Sequence, residues 1–213
     1  MLVKICGIQT LEAGWAAVRG GADLIGFVFA DSRRKISPET AREIVNELPK
    51  QVKKVGVFVN ETVEKMTEIA NFVGLDFLQL HGNEPSSVAE RLSLPVIKAF
   101  SVDSIKHCEI WSYPCEYYLI DSPKEKYHGG SGKTFDWKIV KNLKLARCKL
   151  ILAGGLTPDN VREAITVVGP VGVDVSSGVE IDGKKDKEKI CEFIKQAKST
   201  GKDESIDNLY NAR

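Results

Sequence analysis

Eight short apolar runs, recurring at roughly 20–30-residue intervals, constrain this chain more than any other feature. They are Leu2–Cys6, Leu24–Phe29, Lys54–Val59, Phe77–His81, Pro95–Phe100, Tyr117–Asp121, Lys149–Ala153 and Val171–Val175. Each is too short for a core helix and is rich in β-branched or aromatic residues, which marks buried strands. The segments between them carry helical periodicity. Leu11–Gly20 places Leu11, Trp15 and Val18 at steps of four and three, and Pro38–Leu48 places Ala41, Ile44, Val45 and Leu48 on one stripe. Ser37 before Pro38 is a helix start by both cap and first-turn preference, and Thr157-Pro158 before Asn160–Val168 repeats the signal. Strands that alternate with helices imply βαβ units and a parallel sheet. Eight units in a row favour a single closed (β/α)₈ barrel of the α/β class over a doubly wound sheet. Cys6-Gly7-Ile8-Gln9-Thr10, after the first run, also lacks the GxGxxG of a dinucleotide fold.

The 213 residues suit one such barrel at the short end of its range. The barrel is expected over 1–198, with a polar, loosely docked tail over 199–213. A hydrophobic content of 43% is ample for a core, and a net charge of +1, from 30 basic and 29 acidic residues, gives no case for a nucleic-acid or membrane-surface partner. Cys6, Cys108, Cys115, Cys148 and Cys191 form no CxxC pair and are odd in number, so reduced thiols in a cytoplasmic protein are expected. The chain opens on a strand-like run rather than a basic leader, and no apolar stretch approaches the roughly 20 residues of a membrane helix.

The chemistry concentrates where the runs end. Cys6 closes the first and Asp121 the sixth. In a parallel barrel both discharge at one rim, where such folds carry their active sites. Strand alternation sends Lys4 and Cys6 inward if Val3 and Ile5 face the helices; the alternative for Cys6 is a small buried hydrophobe. Asp121 is costly to bury without a partner or a task, the alternatives being a helix cap or a partner for Lys124. His81 is a second rim residue, or else a satisfied strand-end histidine. Asp174 faces the interior if Val173 and Val175 face the helices. Gly154-Gly155 follows the seventh strand and Ser176-Ser177-Gly178 the eighth, the usual phosphate loops of this fold. Arg34 follows the second strand and could grip a planar carboxylate, or lie in a solvated basic loop with Arg33 and Lys35. Gly129-Gly130-Ser131-Gly132-Lys133-Thr134 is not a P-loop, because Tyr127 stands where the first glycine is required. A mobile loop over the mouth fits it better. The residues thus indicate an enzyme acting on a phosphorylated small molecule. Alternatives are another phosphosugar barrel, including an imine-forming one with Lys98 as its amine, and a non-catalytic phosphate-binding barrel.

Ordered stretches sharpen this. Val3-Lys4-Ile5-Cys6-Gly7-Ile8, Gly26-Phe27-Val28-Phe29, Ile36-Ser37-Pro38, Gly56-Val57-Phe58-Val59-Asn60, Gln79-Leu80-His81-Gly82, Gly129–Trp137, Gly154-Gly155-Leu156 and Asp174–Glu180 closely resemble the phosphoribosylanthranilate isomerases of tryptophan biosynthesis, from residue 2 to about 198. Ser122–His128 differs from the family's form. The resemblance implies a cofactor-free and metal-free Amadori rearrangement of N-(5-phosphoribosyl)anthranilate. It places the general base on Cys6, the general acid on Asp121, the anthranilate carboxylate on Arg34 and the phosphate on Gly154, Gly155, Ser176 and Ser177. His81 and Asp174 are expected to face the substrate. A nearby cation such as Lys4 could favour the thiolate, and burial could keep Asp121 protonated. A homodimer and a monomer are equally compatible with the sequence.

Overall fold

The computed structural model describes residues 1–107, 110–122, 135–142 and 147–199. Eight parallel strands close into a barrel in chain order: β1 (Leu2–Cys6), β2 (Leu24–Val28), β3 (Lys53–Phe58), β4 (Phe77–Leu80), β5 (Val96–Ser101), β6 (Tyr117–Asp121), β7 (Leu150–Leu152) and β8 (Gly172–Val175). Every expected run became a strand, with ends shifted by a residue or so. β1 pairs on one side with β2, Cys6 opposite Gly26, and on the other with β8, Lys4 opposite Asp174.

Alternation sorts the side chains. Val3, Ile5, Val173 and Val175 join the shell between barrel and helices. Leu24, Val55, Ile97, Leu119 and Ile151 fill the lower lumen, and Cys6, Val28 and Val57 form a smaller cluster above them. The shell supplies most of the cohesion, since each fully buried Val, Ile or Phe contributes about 1.5–3 kcal/mol. Truncating Phe27, which has no exposed surface, to Ala should cost about 3–5 kcal/mol.

Local chemistry sets the helix ends. Thr10 caps α1 (Leu11–Gly20) by accepting from the Ala13 N–H, and Gly21 ends it at φ 92°, a left-handed conformation that suits glycine. Ser37 caps α2 (Pro38–Glu47) and Thr62 caps α3 (Val63–Val73). α4 (Ser86–Glu90) and α5 (Lys138–Lys141) are short. Between β5 and β6 the described residues hold only 3₁₀ turns, at Ser104–His107 and Ile110–Ser112. The expected helix start at Thr157-Pro158 is instead a turn, and α6 (Val161–Val168) begins three residues after Pro158. Asn160 causes the delay: its side chain accepts from Thr157 N and donates to Gly155 O, folding the loop back on itself.

After β8 come a 3₁₀ turn (Ser177–Val179) and a two-stranded antiparallel ribbon of β9 (Glu180–Ile181) and β10 (Lys184–Lys185). The chain then enters α7 (Lys187–Ser199), where Asp186 Oδ1 accepts from Lys189 N at 2.8 Å. Cys108, Lys124, the Gly129–Thr134 loop and residues 200–213 of the expected tail lie outside the described residues. Among the described residues no helix is long and apolar enough to cross a membrane.

Candidate active site

Cys6 is the last residue of β1, 7% exposed. Two glycines make its surroundings. Gly26 stands opposite, and a Cβ there would lie 3.0 Å from Cys6 Sγ and 3.2 Å from Lys4 Nζ, so sulfur and ammonium share the space a side chain would fill. Gly7 follows at φ 79°, where a Cβ would lie 2.6 Å from Arg34 Cδ and 3.3 Å from Ser176 Oγ. Glycine at 7 therefore lets the loops after β2 and β8 close on the end of β1.

Lys4 has no exposed surface, and its Nζ donates to Asp174 Oδ1 at 2.9 Å. Burial works against its charge, but Asp174 and Cys6 outweigh it and raise its pKa. The expected cation beside the thiol is thus present. It does not win: burial, the largest influence, pushes the Cys6 thiol above its ordinary value of 9.0 despite Lys4 and Lys185.

Asp121 ends β6 and is 9% exposed. Its Oδ1 accepts from Ser122 N at 2.7 Å, and its Oδ2 lies 3.4 Å from His81 Nε2. Burial pushes the carboxyl up, but the His81 hydrogen bond and the Ser122 donors more than offset it, leaving the pKa below its ordinary value. The expectation that burial would keep Asp121 protonated is therefore reversed in the free site. Gln79 Nε2 lies 2.9 Å from His81 Nδ1. With the amide donating there, Nε2–H faces the acid.

Arg34 is buried and its side-on fork is already engaged: Nε donates to Glu180 Oε1 at 2.6 Å and Nη2 to Glu180 Oε2 at 2.9 Å. The solvated-loop alternative thus fails for Arg34 but describes Arg33, 59% exposed on the outside of the same carboxylate, and the exposed Lys35. Lys98 lies outside the lumen, since Ile97 and Ala99 are the inward residues of β5. Its Nζ binds Glu84 Oε2 at 2.6 Å and the Gly82 carbonyl at 2.8 Å, which removes the inward amine an imine mechanism needs.

Cys6, Arg34, His81, Asp121, Asp174 and Ser176 line one cavity at the C-terminal mouth of the barrel, although their positions span the whole chain. Of the expected phosphate-loop residues, Ser176 lines the cavity and Gly154 packs beside Asp121, a Cβ there lying 3.1 Å from Asp121 Oδ1; Gly155 and Ser177 are not among the lining residues. Gly154, at φ 85°, lies so close that a Cβ would meet Ser122 N at 2.5 Å. Gly178 packs directly under the Leu156 carbonyl, joining the loops after β7 and β8. Sequence reasoning missed Gln79, Glu180 and Lys185. Gln79 shares its strand face with His81, a parity signal that was available. Lys185 and Glu180 sit in a polar segment with no such signal.

The family model for N-(5'-phosphoribosyl)anthranilate (PRA) isomerase matches residues 3–196. An N-(5'-phosphoribosyl)anthranilate isomerase from Bacillus cereus is 51% identical over 94% of this chain and the whole of its own length. One from Listeria welshimeri is 53% identical over 93% of this chain and 98% of its own. The crystal structure of the Thermotoga maritima phosphoribosyl anthranilate isomerase superposes with a TM-score of 0.84 at 46% identity, covering 93% of this chain and 100% of that one. A further structure of such an enzyme, in complex with reduced 1-(O-carboxyphenylamino)-1-deoxyribulose 5-phosphate, matches at TM-score 0.79 and 43% identity over 93% of this chain and 100% of that one. With the model spanning nearly all of the barrel and relatives this similar over their full lengths, the chain belongs to the N-(5'-phosphoribosyl)anthranilate isomerase family.

Proposed function

We propose that this protein converts N-(5'-phosphoribosyl)anthranilate into 1-(2-carboxyphenylamino)-1-deoxyribulose 5-phosphate, a step of tryptophan biosynthesis. Its own side chains supply the acid and the base. The observation that carries the reading is that Cys6 and Asp121, on β1 and β6, line one cavity together with Arg34 and Ser176, with Gly154 packed against Asp121.

In this mechanism Asp121 gives its proton to the ribose ring oxygen. The C1–O bond breaks and the nitrogen lone pair forms a protonated imine at C1. The Cys6 thiolate then removes the proton on C2, and the electrons flow to the imine to give an enolamine. Transfer of a proton from the enol oxygen and to C1 yields the ketone, an isomerisation with no net gain or loss of atoms. Each positioned acid or base is worth about 10²–10⁴-fold. The imine nitrogen is the electron sink, and no step calls for a cofactor or metal.

Recognition divides along the cavity. Arg34 takes the anthranilate carboxylate. Its side-on fork holds Glu180, so the end-on N–H groups of its guanidinium serve the ligand. Backbone N–H groups at Gly154-Gly155 and Ser176-Ser177 take the phosphate, the Ser176 hydroxyl being given to the Cys6 carbonyl. His81 steadies Asp121, and Asp174, bound to Lys4, faces the ribose from the opposite side of the lumen.

The test is direct. Addition of the purified protein to N-(5'-phosphoribosyl)anthranilate should discharge the substrate fluorescence catalytically, with the ketose phosphate as product. Stoichiometric binding without turnover would sink the proposal in favour of a non-catalytic barrel.

A further inference from the structure

Lys185 lies on β10, one residue before the Asp186 cap of α7, so ribbon and helix start both fix its backbone. Its Nζ donates to the Ser176 carbonyl at 2.9 Å, to Ser176 Oγ at 3.3 Å and to Glu180 Oε1 at 2.6 Å. Each of its neighbours binds a different part of the site. Glu180 holds the Arg34 fork, and Ser176 Oγ donates to the Cys6 carbonyl at 3.1 Å. The cation, the carboxylate and the guanidinium are all buried, with side chains 5, 4 and 9% exposed.

Two features go beyond ordinary packing. An ammonium has three protons, and three acceptors face them here, so Lys185 acts through Ser176 and Glu180 rather than on a ligand. The charge is also unbalanced: Arg34 and Lys185 share the single Glu180 carboxylate, with Arg33 touching it from outside. Buried charge is stable only when matched. Within this cluster the positive excess is offset only at longer range by Asp121 and Asp174, which line the same cavity, and an anion placed beside Arg34 matches it locally.

We propose that Lys185 is a positioning residue that locks the Arg34 grip and the Ser176 loop into one unit, preset for a ligand anionic at both ends. It rests on the reading above, in which Arg34 and the loop at Ser176 take the two anions of the substrate. Lys185 sets the relative placement of the two grips, so both anions lose affinity together when it is removed. Its charge near Cys6 also opposes the effect of burial on the thiol. The groups facing that thiol are Lys4 on β1, Asp174 on β8 and Lys185 on β10.

The experiment compares Lys185→Met, Lys185→Arg and Lys184→Met in the full chain. Lys184 neighbours Lys185 on the same ribbon strand but is exposed, so its variant serves as the control. KM and kcat are measured with the substrate, and competitive inhibition constants with inorganic phosphate alone and anthranilate alone. Lys185→Met should raise KM and both inhibition constants by about tenfold, the order of one charge-assisted hydrogen bond lost, with a smaller change in kcat. Lys185→Arg should recover part of the loss, and Lys184→Met should match the wild type. A lower Tm with all three constants unchanged would overturn the proposal, leaving Lys185 a structural cation. A change in only one inhibition constant would overturn the coupling. If Lys185→Met does not fold, Lys185→Met with Glu180→Gln removes the abandoned charge and carries the same measurement; wild-type affinity for both anions there also overturns it. Failure of the underlying reading looks different: Arg34→Met would leave anthranilate inhibition unchanged and Gly155→Asp would leave phosphate inhibition unchanged.

Discussion

His81 Nε2 stands 3.4 Å from Asp121 Oδ2, and Gln79 Nε2 stands 2.9 Å from the other ring nitrogen. The histidine thus links an amide to the proposed acid, with its Nε2–H turned toward the carboxylate. Asp121→Asn keeps the shape and the Ser122 contacts while removing the transferable proton. Turnover should fall by about 10²–10⁴-fold with the ring-closed substrate, and much less with a pre-opened analogue. Equal losses with both would mean that Asp121 does not open the ring.

The free site holds its protons the wrong way round for the proposed chemistry. Burial lifts the Cys6 thiol above 9.0, while hydrogen bonds outweigh burial and hold Asp121 below 3.8. The reactive pair, thiolate with carboxylic acid, is then a minor form whose population is constant between the two pKa values. Below the Asp121 value the thiolate declines with each unit of pH; above the Cys6 value the acid declines. The profile of kcat/KM should therefore be a broad plateau spanning neutral pH. Alkylation of Cys6 by iodoacetamide in the free enzyme should climb about tenfold per pH unit through neutrality and reach half its maximum only above pH 9. Half-maximal alkylation below neutrality would show that Lys4 and Lys185 outweigh burial after all.

The same balance marks what could and could not be taken from the sequence. Runs such as Leu2–Cys6 declare strands because alternation and β-branching act locally, and parity then turns Lys4 and Cys6 into the lumen. Eight such strands fix the mouth, and with it the meeting of Cys6 and Asp121. The net direction of a pKa is not legible, because it is a small difference between burial and hydrogen bonds that only coordinates give. Lys185 is hidden for another reason. It lies in Asp182–Lys189, where its neighbours are solvated charges, and only the two-residue strands of the ribbon turn it inward. Arg34 was legible as an arginine after β2 but not as a partner of Glu180, 146 residues further along the chain.

Gly155 has a φ of 62°, so any substitution there combines backbone strain with a new side chain. Asparagine tolerates this conformation about as well as aspartate does and carries no charge. Gly155→Asp should therefore weaken inhibition by inorganic phosphate by about tenfold or more relative to Gly155→Asn, the difference being repulsion of the anion. Equal inhibition constants for the two variants would remove Gly155 from the phosphate site.

Lys98 is predicted to matter for stability and not for chemistry. Its partner Glu84 also accepts from Asn60 N at 2.7 Å and Gly82 N at 3.0 Å, and the two side chains are only 4 and 2% exposed. Lys98→Met abandons a buried carboxylate and should cost about 3–5 kcal/mol, much of it recovered by adding Glu84→Gln. Burial pushes the Glu84 carboxyl up, but the Lys98 hydrogen bond and the backbone donors more than offset it and hold it below 4.5. A depressed carboxyl stabilises the fold above its unfolded value, and that stability is lost as pH falls through the folded value. The Tm gap between wild type and Lys98→Met, Glu84→Gln should therefore narrow on acidification below about pH 4.5. The double variant should keep its kcat; loss of turnover with an intact fold would revive an amine mechanism.

Arg34 carries the last prediction. Its side-on fork is occupied by Glu180, so a ligand carboxylate meets the end-on N–H groups of a guanidinium already held rigid. Rigid placement matters, because a grip that need not be ordered on binding loses less entropy. Arg34→Met should weaken binding of the carboxylate-bearing substrate by about 1.5–3 kcal/mol, the usual contribution of a hydrogen bond to a charged group. Glu180 keeps Lys185 at 2.6 Å in that variant, so the loop after β8 should survive. Arg34→Lys should be nearly as poor, since a point charge cannot hold both Glu180 oxygens and a ligand in one plane. An analogue without the carboxylate separates recognition from scaffolding. If Arg34→Met loses as much affinity for that analogue as for the substrate, Arg34 acts through Glu180 and the loop, and the carboxylate is held by another residue.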